Sequence, residues 1–484
     1  MPDFADNLTL PEHLKGVALH LVGAKGTGMC ALAELFVASG ASVSGSDVDE
    51  RFYTDVILQE LGVKMHPFEA ASLSPDIEWV VRSAAYDETN PVVAEALKRG
   101  LPILTYPEAL GSMSRRYDAS AVAGVHGKTT TAALAGTLAK GMELPATVVV
   151  GSAVAGFGDR STWRGGDKFL IAETCEYRRH FLQFHPRRII LTSVEPDHQD
   201  YYPDYDSIRD AFVDFIHRLP KDGELIYCAD DPGASDVVQR ALESREDIVV
   251  TPYGVKADGA WKVLFGDAVP GENRFRTAGS EQEYSLAVPG RHVALDAVAA
   301  LALMDSLMRS TGGKLDVRSA AEAFSTFRGS RRRSEIIGEA GGVLVMDDYA
   351  HHPTAIAATL SGLTDFHPDR RLVVDFMPHT YSRTAALLSE FAACFQNAQI
   401  LLLHPIYASA RERFDGTVTG RTLWRDASEN REKNTTLYCE TLDDAAERLE
   451  GILQPGDLFL TLGAGNNRPL GKMMMEKLAH KDVS

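Results

Sequence analysis

Short apolar runs alternate along this chain with stretches of helical spacing, and the alternation starts afresh three times. In the first series GVALHLVG (16–23), ASVSGSD (41–47), WVVRSA (79–84) and LPILTY (101–106) read as strands, and MCALAELFVASG (29–40) as a helix closed by a glycine. The second series holds ASAVAGV (119–125), FLIAE (169–173), RIILTSV (188–194) and ELIYCAD (224–230). Its helices are KTTTAALAGTLAKG (128–141) and HVALDAVAALALMDSL (292–307), and the turn-rich residues 255–288 read as an antiparallel excursion. The third series holds VLVMDDY (343–349), RLVVDFM (371–377), QILLLHP (399–405) and LFLTLGAG (458–465). Strands that alternate with helices pack as a parallel, doubly wound sheet. The expected fold class is therefore α/β, with three consecutive domains at 1–117, 118–326 and 327–484, joined through the polar stretches SMSRRYD (112–118) and TFRGSRRRSE (326–335).

Charge and cysteine usage narrow the function. The formal net charge is −18, which argues against nonspecific nucleic-acid binding or an anionic membrane surface as partner. A local basic pocket for an anionic ligand remains compatible with it. No run of 18 apolar residues is present, so no membrane span is expected. The N-terminus, MPDFADNLTLPEHLKG, lacks the basic and apolar regions of a signal peptide. The five cysteines are scattered and form no C-x-x-C, as suits a reducing cytoplasm.

The strongest local motif is AGVHGKTTT, from Ala123 to Thr131, placed after an apolar strand and at the start of a helix. Backbone N–H groups at such a helix start bind anions. Gly124, Val125, His126, Gly127, Lys128, Thr129 and Thr130 are thus the candidate nucleotide loop, with Lys128 neutralising phosphate oxygens and Thr129 ligating Mg²⁺. Val122 stands where a full phosphate-loop pattern has its first glycine. Candidate carboxylates lie at strand ends, where open α/β sheets put their ligands. They are Glu173 after FLIAE, and Glu195 and Asp197 beside His198 after RIILTSV.

Two further regions leave alternatives open. GAKGTGM contains Gly23, Gly26, Thr27 and Gly28, and Asp47 ends the second strand, which fits a diphosphate-binding turn and supports an NAD-dependent dehydrogenase as a rival reading. That rival leaves GKTTT unexplained. In the third segment DDYAHHP (347–353) carries His351 and His352, which on a strand would point to opposite faces and so not share a zinc ion. The arginines of RGSRRR (328–333) are either a solvated linker or an anion site.

Together these motifs resemble the Mur ligase family, over nearly the whole chain and in order. The elements are the glycine turn, SAAYDETNP (83–91), HGKTTT, AE-x-x-E at 172–176, E-x-DH at 195–198, GRH at 290–292, F-x-G-x-x-RR at 327–333, DDYAHHP and PH-x-Y-x-R at 378–383. The resemblance implies a Rossmann-like N-terminal domain for a UDP-sugar, a central P-loop ATPase domain with a parallel sheet, and a Rossmann-like C-terminal domain for an amino acid. It implies an ATP- and Mg²⁺-dependent ligase in the cytoplasm, a monomer or weak homodimer with no membrane or nucleic-acid partner. Such an enzyme joins L-alanine to the lactyl carboxylate of UDP-N-acetylmuramate through an acyl phosphate. A ligase that reattaches a murein tripeptide to the same nucleotide, and a noncatalytic nucleotide-binding relative, are the alternatives.

By motif match Thr129, Glu173 and His198 would hold the metal, with His292 and Asp296 at adenine, Arg332 and Arg333 at phosphate, and Tyr349 near the base. Gly23, Gly26, Thr27, Gly28, Asp47, Ser83 and Ala84 would meet the UDP-sugar, while His352, His379 and Arg383 would form the amino-acid end. Lys128, Glu173, His198, His352 and Arg383 are the implied catalytic set. The family's EADES-like run reads ETCEY here, so Cys175 replaces an acid and Arg178 follows Tyr177. Ser193, Val293, Asp296 and Thr380 are further departures. No lysine lies between His198 and Lys221, unlike branches that carry a carbamylated lysine there.

Overall fold

The computed structural model describes residues 8–408, 412, 414 and 416–481. Its chain forms two compact units. One gathers the chain up to Ser193 with Arg209–Pro252 and Ala299–Ala323; the other holds Val194–Ile208, Tyr253–Val298 and the chain from Phe324 onward. Four sheets are present among the described residues, and three of them are built mainly of parallel strands.

The first unit contains two sheets. Strands β1 (Ala18–Val22), β2 (Ser42–Ser46), β3 (Lys64–His66), β4 (Trp79–Arg82) and β5 (Ile103–Thr105) form a sheet ordered β3-β2-β1-β4-β5. All four strand pairings in it are parallel. The chain winds outward from β1 to β3, then returns to β4 on the other side of β1. That reversal makes β1/β4 the switch point, where an open α/β sheet leaves a crevice at its strand ends. Every residue of β1 is buried, because helices cover both faces of such a sheet.

The second sheet is built from β6 (Asp118–Ala123), β7 (Ala146–Val154), β8 (Arg160–Arg164), β9 (Phe169–Glu173), β10 (Arg188–Leu191), β11 (Glu224–Cys228) and β12 (Val249–Tyr253), ordered β12-β11-β10-β6-β9-β7-β8. β6 lies at its centre, parallel to β9 on one side and β10 on the other. Three segments after these strands therefore converge. The β7–β8 hairpin is antiparallel.

SMSRRYD is not a free connector. Its first three residues close the helix Tyr106–Ser114, and Ser112 and Ser114 are buried. The Ser112 hydroxyl accepts from Leu10 N at 2.9 Å, and that of Ser114 donates to Gly111 O at 2.6 Å. Small serines are compatible with a buried last turn when their hydroxyls are satisfied, that of Ser114 within the turn and that of Ser112 by the distant Leu10.

In the second unit β13 (Val263–Phe265), β14 (Asn273–Thr277) and β15 (Glu283–Leu286) make the expected antiparallel excursion. β16 (Glu335–Ala340), β17 (Val343–Asp348), β18 (Arg371–Phe376), β19 (Ile400–Leu403), β20 (Thr436–Tyr438) and β21 (Asp457–Leu462) form a sheet ordered β16-β17-β21-β18-β19-β20. Only β16 runs antiparallel to its neighbour. Apolar clusters cover both faces, with Phe376, Phe391 and Phe395 on one and Phe459, Leu449 and Met474 on the other.

Candidate active site

The loop after β6 turns sharply into the helix Lys128–Gly141. Gly124 has φ 138°, and a Cβ there would lie 2.1 Å from the Thr192 hydroxyl. Gly127, at φ 80°, caps the helix in the left-handed region. Side chains at either position would open the loop. The segment after β10 fixes it from the other side: Val125 N donates to Ser193 O at 2.9 Å and His126 N to Ser193 Oγ at 2.9 Å. Ser193, a departure from the family pattern, thus still supplies an acceptor.

Below the loop lies a pair of carboxylates from the end of β9. Glu173 Oε1 accepts from the Thr129 hydroxyl at 3.0 Å, and its Oε2 accepts from Gly151 N at 2.7 Å. Lys128 Nζ lies 2.9 Å from Glu176 Oε2, with side chains 13% and 3% exposed, and also donates to Val125 O at 3.1 Å. Burial pulls the Lys128 ammonium down, but Glu176, Cys175 and Glu173 more than offset that, so its pKa lies above the ordinary lysine value. Glu176 belongs to the AE-x-x-E run yet was not among the candidate site residues. What identifies it is the turn that brings it back beneath the lysine. Beside this pair opens a cavity of about 210 Å³. Tyr106, Leu110, Val149, Phe181 and Phe184 give it apolar walls, and Gly28, Glu173 and Cys175 also line it.

At the β1/β4 switch point the glycine turn and the Ser83 turn sit on neighbouring strand ends. Gly23 N donates to Ser46 O at 2.8 Å and Gly26 N to Gly23 O at 3.2 Å, while Gly28 lies in the first turn of the helix Thr27–Ala38. Thr27 accepts from the Tyr53 hydroxyl at 3.0 Å. Asp47 braces this turn, accepting from Lys25 N at 2.7 Å and Val48 N at 2.8 Å. In a dinucleotide fold the equivalent acid is kept for a ribose; here both oxygens serve the loop. Ser83 N donates to Val22 O at 2.9 Å, and Ala84 is exposed.

The remaining candidates belong to the second unit. Asp197 accepts from Arg383 Nε and Nη2 at 3.0 and 2.9 Å, and both side chains are buried. Burial would raise the Asp197 pKa, but Arg383, His198 and His351 reverse this and hold it well below the usual carboxylate range. His198 adopts φ 55°, and its ring lies 4.0 Å from Asp197 Oδ2. His352 Nδ1 lies 3.4 Å from Glu195 Oε1, whose partner oxygen accepts from Thr354 Oγ1 at 2.9 Å. His379 stands near Arg383 and is pushed down to about 4 by burial and that cation.

Two expectations change here. His351 and His352 lie on the turn after β17, not on a strand, and His352 caps the helix Pro353–Phe366. They diverge because His351 Nδ1 bonds Tyr349 O at 2.8 Å while His352 meets Glu195. Arg332 is not held out toward solvent. Its Nε is 3.1 Å from Asp347 Oδ2, its Nη2 donates to Gly463 O at 2.7 Å, and its guanidinium lies over Tyr349. Arg333 also stacks over Tyr349, 5.2 Å from the ring centroid. RGSRRR is therefore an ordered part of the second unit. His292 and Asp296 share one face of the helix Arg291–Ser310, with Asp296 buried.

The structure thus brings the nucleotide loop, Glu173, the glycine turn and the Ser83 turn into one unit, and His198, His292, Asp296, Arg332, Arg333, Tyr349, His352, His379 and Arg383 into the other.

Comparison with known proteins matches three family models in succession. They are the Mur ligase family catalytic domain at residues 18–118, the Mur ligase middle domain at 122–304 and the Mur ligase glutamate ligase domain at 332–465. A UDP-N-acetylmuramate–L-alanine ligase of Treponema pallidum is 50% identical over 96% of this chain and 98% of its own length. One from Desulfitobacterium hafniense is 38% identical over 94% of this chain and 99% of its own. The crystal structure of the UDP-N-acetylmuramate-alanine ligase of Thermotoga maritima has a similar fold, with a TM-score of 0.76 and 24% identity, covering 96% of this chain and all of that one.

Proposed function

The chain belongs to the Mur ligase family, and from that premise we propose that it is the ATP-dependent ligase that joins L-alanine to the lactyl carboxylate of UDP-N-acetylmuramate. The observation that carries this reading is 50% identity to an L-alanine ligase over practically the whole of both chains. It places the protein in peptidoglycan precursor synthesis. The buried Lys128–Glu176 pair gives the reading its chemistry.

The reaction has two steps. A lactyl carboxylate oxygen attacks the γ-phosphorus of ATP, releasing ADP and forming an acyl phosphate. The alanine amine then attacks the acyl carbon, and inorganic phosphate leaves. Phosphoryl transfer needs mostly positioning and charge neutralisation. Lys128 supplies a cation kept charged by Glu176, and the loop's backbone N–H groups orient the phosphates. The Thr129 hydroxyl and Glu173 carboxylate are hard oxygen donors 3.0 Å apart, a pair that fits Mg²⁺ beside phosphate oxygens. When bound there, Mg²⁺ would add positive charge at the phosphates.

In the second unit Arg383 is oriented by Asp197 and offers a planar fork for a carboxylate. His379, neutral at pH 7, serves as a hydrogen-bonding group rather than a strong base. Arg332 and Arg333 are proposed at phosphate, with His292, Asp296 and Tyr349 proposed at the base. Gly23, Gly26, Thr27, Gly28, Asp47, Ser83 and Ala84 frame the crevice proposed for UDP, and His352 belongs to the amino-acid end. Boundaries near 117 and 326, a cytoplasmic setting, and a monomer or weak homodimer complete the proposal. No helix of the described residues is long and apolar enough to cross a membrane.

The test is phosphate release from ATP with UDP-N-acetylmuramate and, in competition, L-alanine, L-serine, glycine and the murein tripeptide. Turnover should require the nucleotide sugar and favour L-alanine by kcat/KM. A preference for the tripeptide would move the chain to the recycling reaction, and tight ATP binding without turnover would reduce it to a binding protein.

A further inference from the structure

The run from Glu173 to Phe184 wraps the cavity beside Lys128, and the tip of that wrap is strained. Arg178 (φ 51°, ψ 25°) and Arg179 (φ 59°, ψ 27°) both occupy the left-handed region. For residues with a Cβ this conformation is strained, and such strain persists only where surrounding contacts enforce it, often at ligand clamps. The enforcing contacts can be named. Arg179 N donates to Glu176 O and Phe181 N to Cys175 O, both at 2.9 Å. Arg179 Nη1 pairs with Asp214 at 2.7 Å, and Phe181 stacks on Phe215 with centroids 4.4 Å apart.

These contacts account for Arg179 and Phe181 but give Arg178 nothing. Its side chain is exposed, and its only partner among the described residues is the ring of Tyr177, 5.4 Å away. The two acids of the same run are already committed, Glu173 to Thr129 and Glu176 to Lys128. In a chain with 67 acidic residues, a strained turn displays an arginine without a carboxylate beside the candidate site. A free guanidinium fork suits a planar, bidentate anion from outside the protein.

We propose that Arg178, on the turn between the cavity-lining residues Cys175 and His180, is a specificity-determining residue that grips the lactyl carboxylate of UDP-N-acetylmuramate. This rests on the ligase reading above. The glycine turn is taken by the diphosphate and the Lys128 loop by ATP, which leaves the carboxylate as the anion that must lie between them. The apolar walls of the cavity suit the lactyl methyl group and the face of the sugar.

The test uses a pair of nucleotide sugars that differ only in the lactyl group. Calorimetry on the full chain compares UDP-N-acetylmuramate with UDP-N-acetylglucosamine for wild type, Arg178→Ala, Arg178→Gly, Arg178→Lys and, as control, Arg179→Ala. Loss of the charged contact should weaken UDP-N-acetylmuramate by about ten-fold or more. UDP-N-acetylglucosamine and the KM for ATP should stay within about two-fold. Lysine should restore part of the loss. Arg178→Gly should lose the same affinity while melting higher, because it relieves the strain, and Arg179→Ala should bind as wild type does. Equal weakening of both sugars, or of neither, overturns the proposal. A wild type that binds UDP-N-acetylmuramate selectively but forms no amide would instead refute the ligase reading and leave this one standing.

Discussion

Replacing Glu176 by glutamine keeps the shape of the turn but leaves Lys128 buried without its counter-ion. The pair is 2.9 Å apart and its side chains are 13% and 3% exposed, so solvent screens it little. Breaking a buried pair by removing one partner costs about 3–5 kcal/mol. The lower end applies here, about 3 kcal/mol, because Lys128 keeps the carbonyls of Gly124 and Val125. The pH dependence gives a sharper signature than the size. In the wild type the Lys128 pKa is raised, so its contribution is complete below the ordinary value of 10.5 and is lost as pH rises through the higher folded value. In Glu176→Gln burial dominates, the folded pKa falls below 10.5, and the folded state binds fewer protons than the unfolded one. Stability of the variant should therefore rise with pH toward 10.5 while that of the wild type does not. Thermal melts of both proteins from pH 7 to 10 read this directly: the difference in Tm should be widest at pH 7 and narrow steadily. A constant difference across that range, or none, would refute the claim that Glu176 keeps Lys128 charged.

Four further outcomes follow from the same geometry. Lys128→Ala should lower the rate of phosphate release by on the order of 10²–10³-fold, measured at saturating substrates. Gly124→Ala should destabilise the protein by about 2–4 kcal/mol and abolish ATP binding by calorimetry, since its Cβ would lie 2.1 Å from the Thr192 hydroxyl. Asp197→Asn should raise the KM for L-alanine and cost about 3 kcal/mol at neutral pH. Because the Asp197 pKa is depressed, that contribution is present above 3.8 and is lost as pH falls through the lower folded value, so the wild-type advantage should disappear only in strong acid. Removing Mg²⁺ with a chelator should stop phosphate release, and Thr129→Ala should raise the Mg²⁺ concentration needed to restore it.

Much of the candidate site was legible because it rests on local pattern. A strand, a glycine turn and a helix beginning at Lys128 are all written within Ala119–Gly141, and Glu173 ends its apolar run at the sheet edge where it meets Thr129. What could not be read depends on distant partners. That β6 is central, between β9 and β10, follows from parallel pairing across long crossovers, which leaves no local trace. Glu176 stands in the AE-x-x-E motif, but its pairing with Lys128 joins residues far apart in the chain, and no local pattern reports it. That Asp347 on β17 holds Arg332 could not be read from RGSRRR, because the two residues lie 15 positions apart. SMSRRYD looked like a linker because polarity was read without the hydrogen bonds that let Ser112 and Ser114 be buried.

The central claim is that the lactyl carboxylate is activated by phosphorylation. With ¹⁸O in both carboxylate oxygens of UDP-N-acetylmuramate, the attacking oxygen becomes the bridge of the acyl phosphate and departs with phosphorus when the amine displaces it. Mass spectrometry of the phosphate formed during alanine ligation should find one ¹⁸O per molecule, matched by one ¹⁸O retained in each amide. Unlabelled phosphate, or label recovered in AMP, would contradict the account.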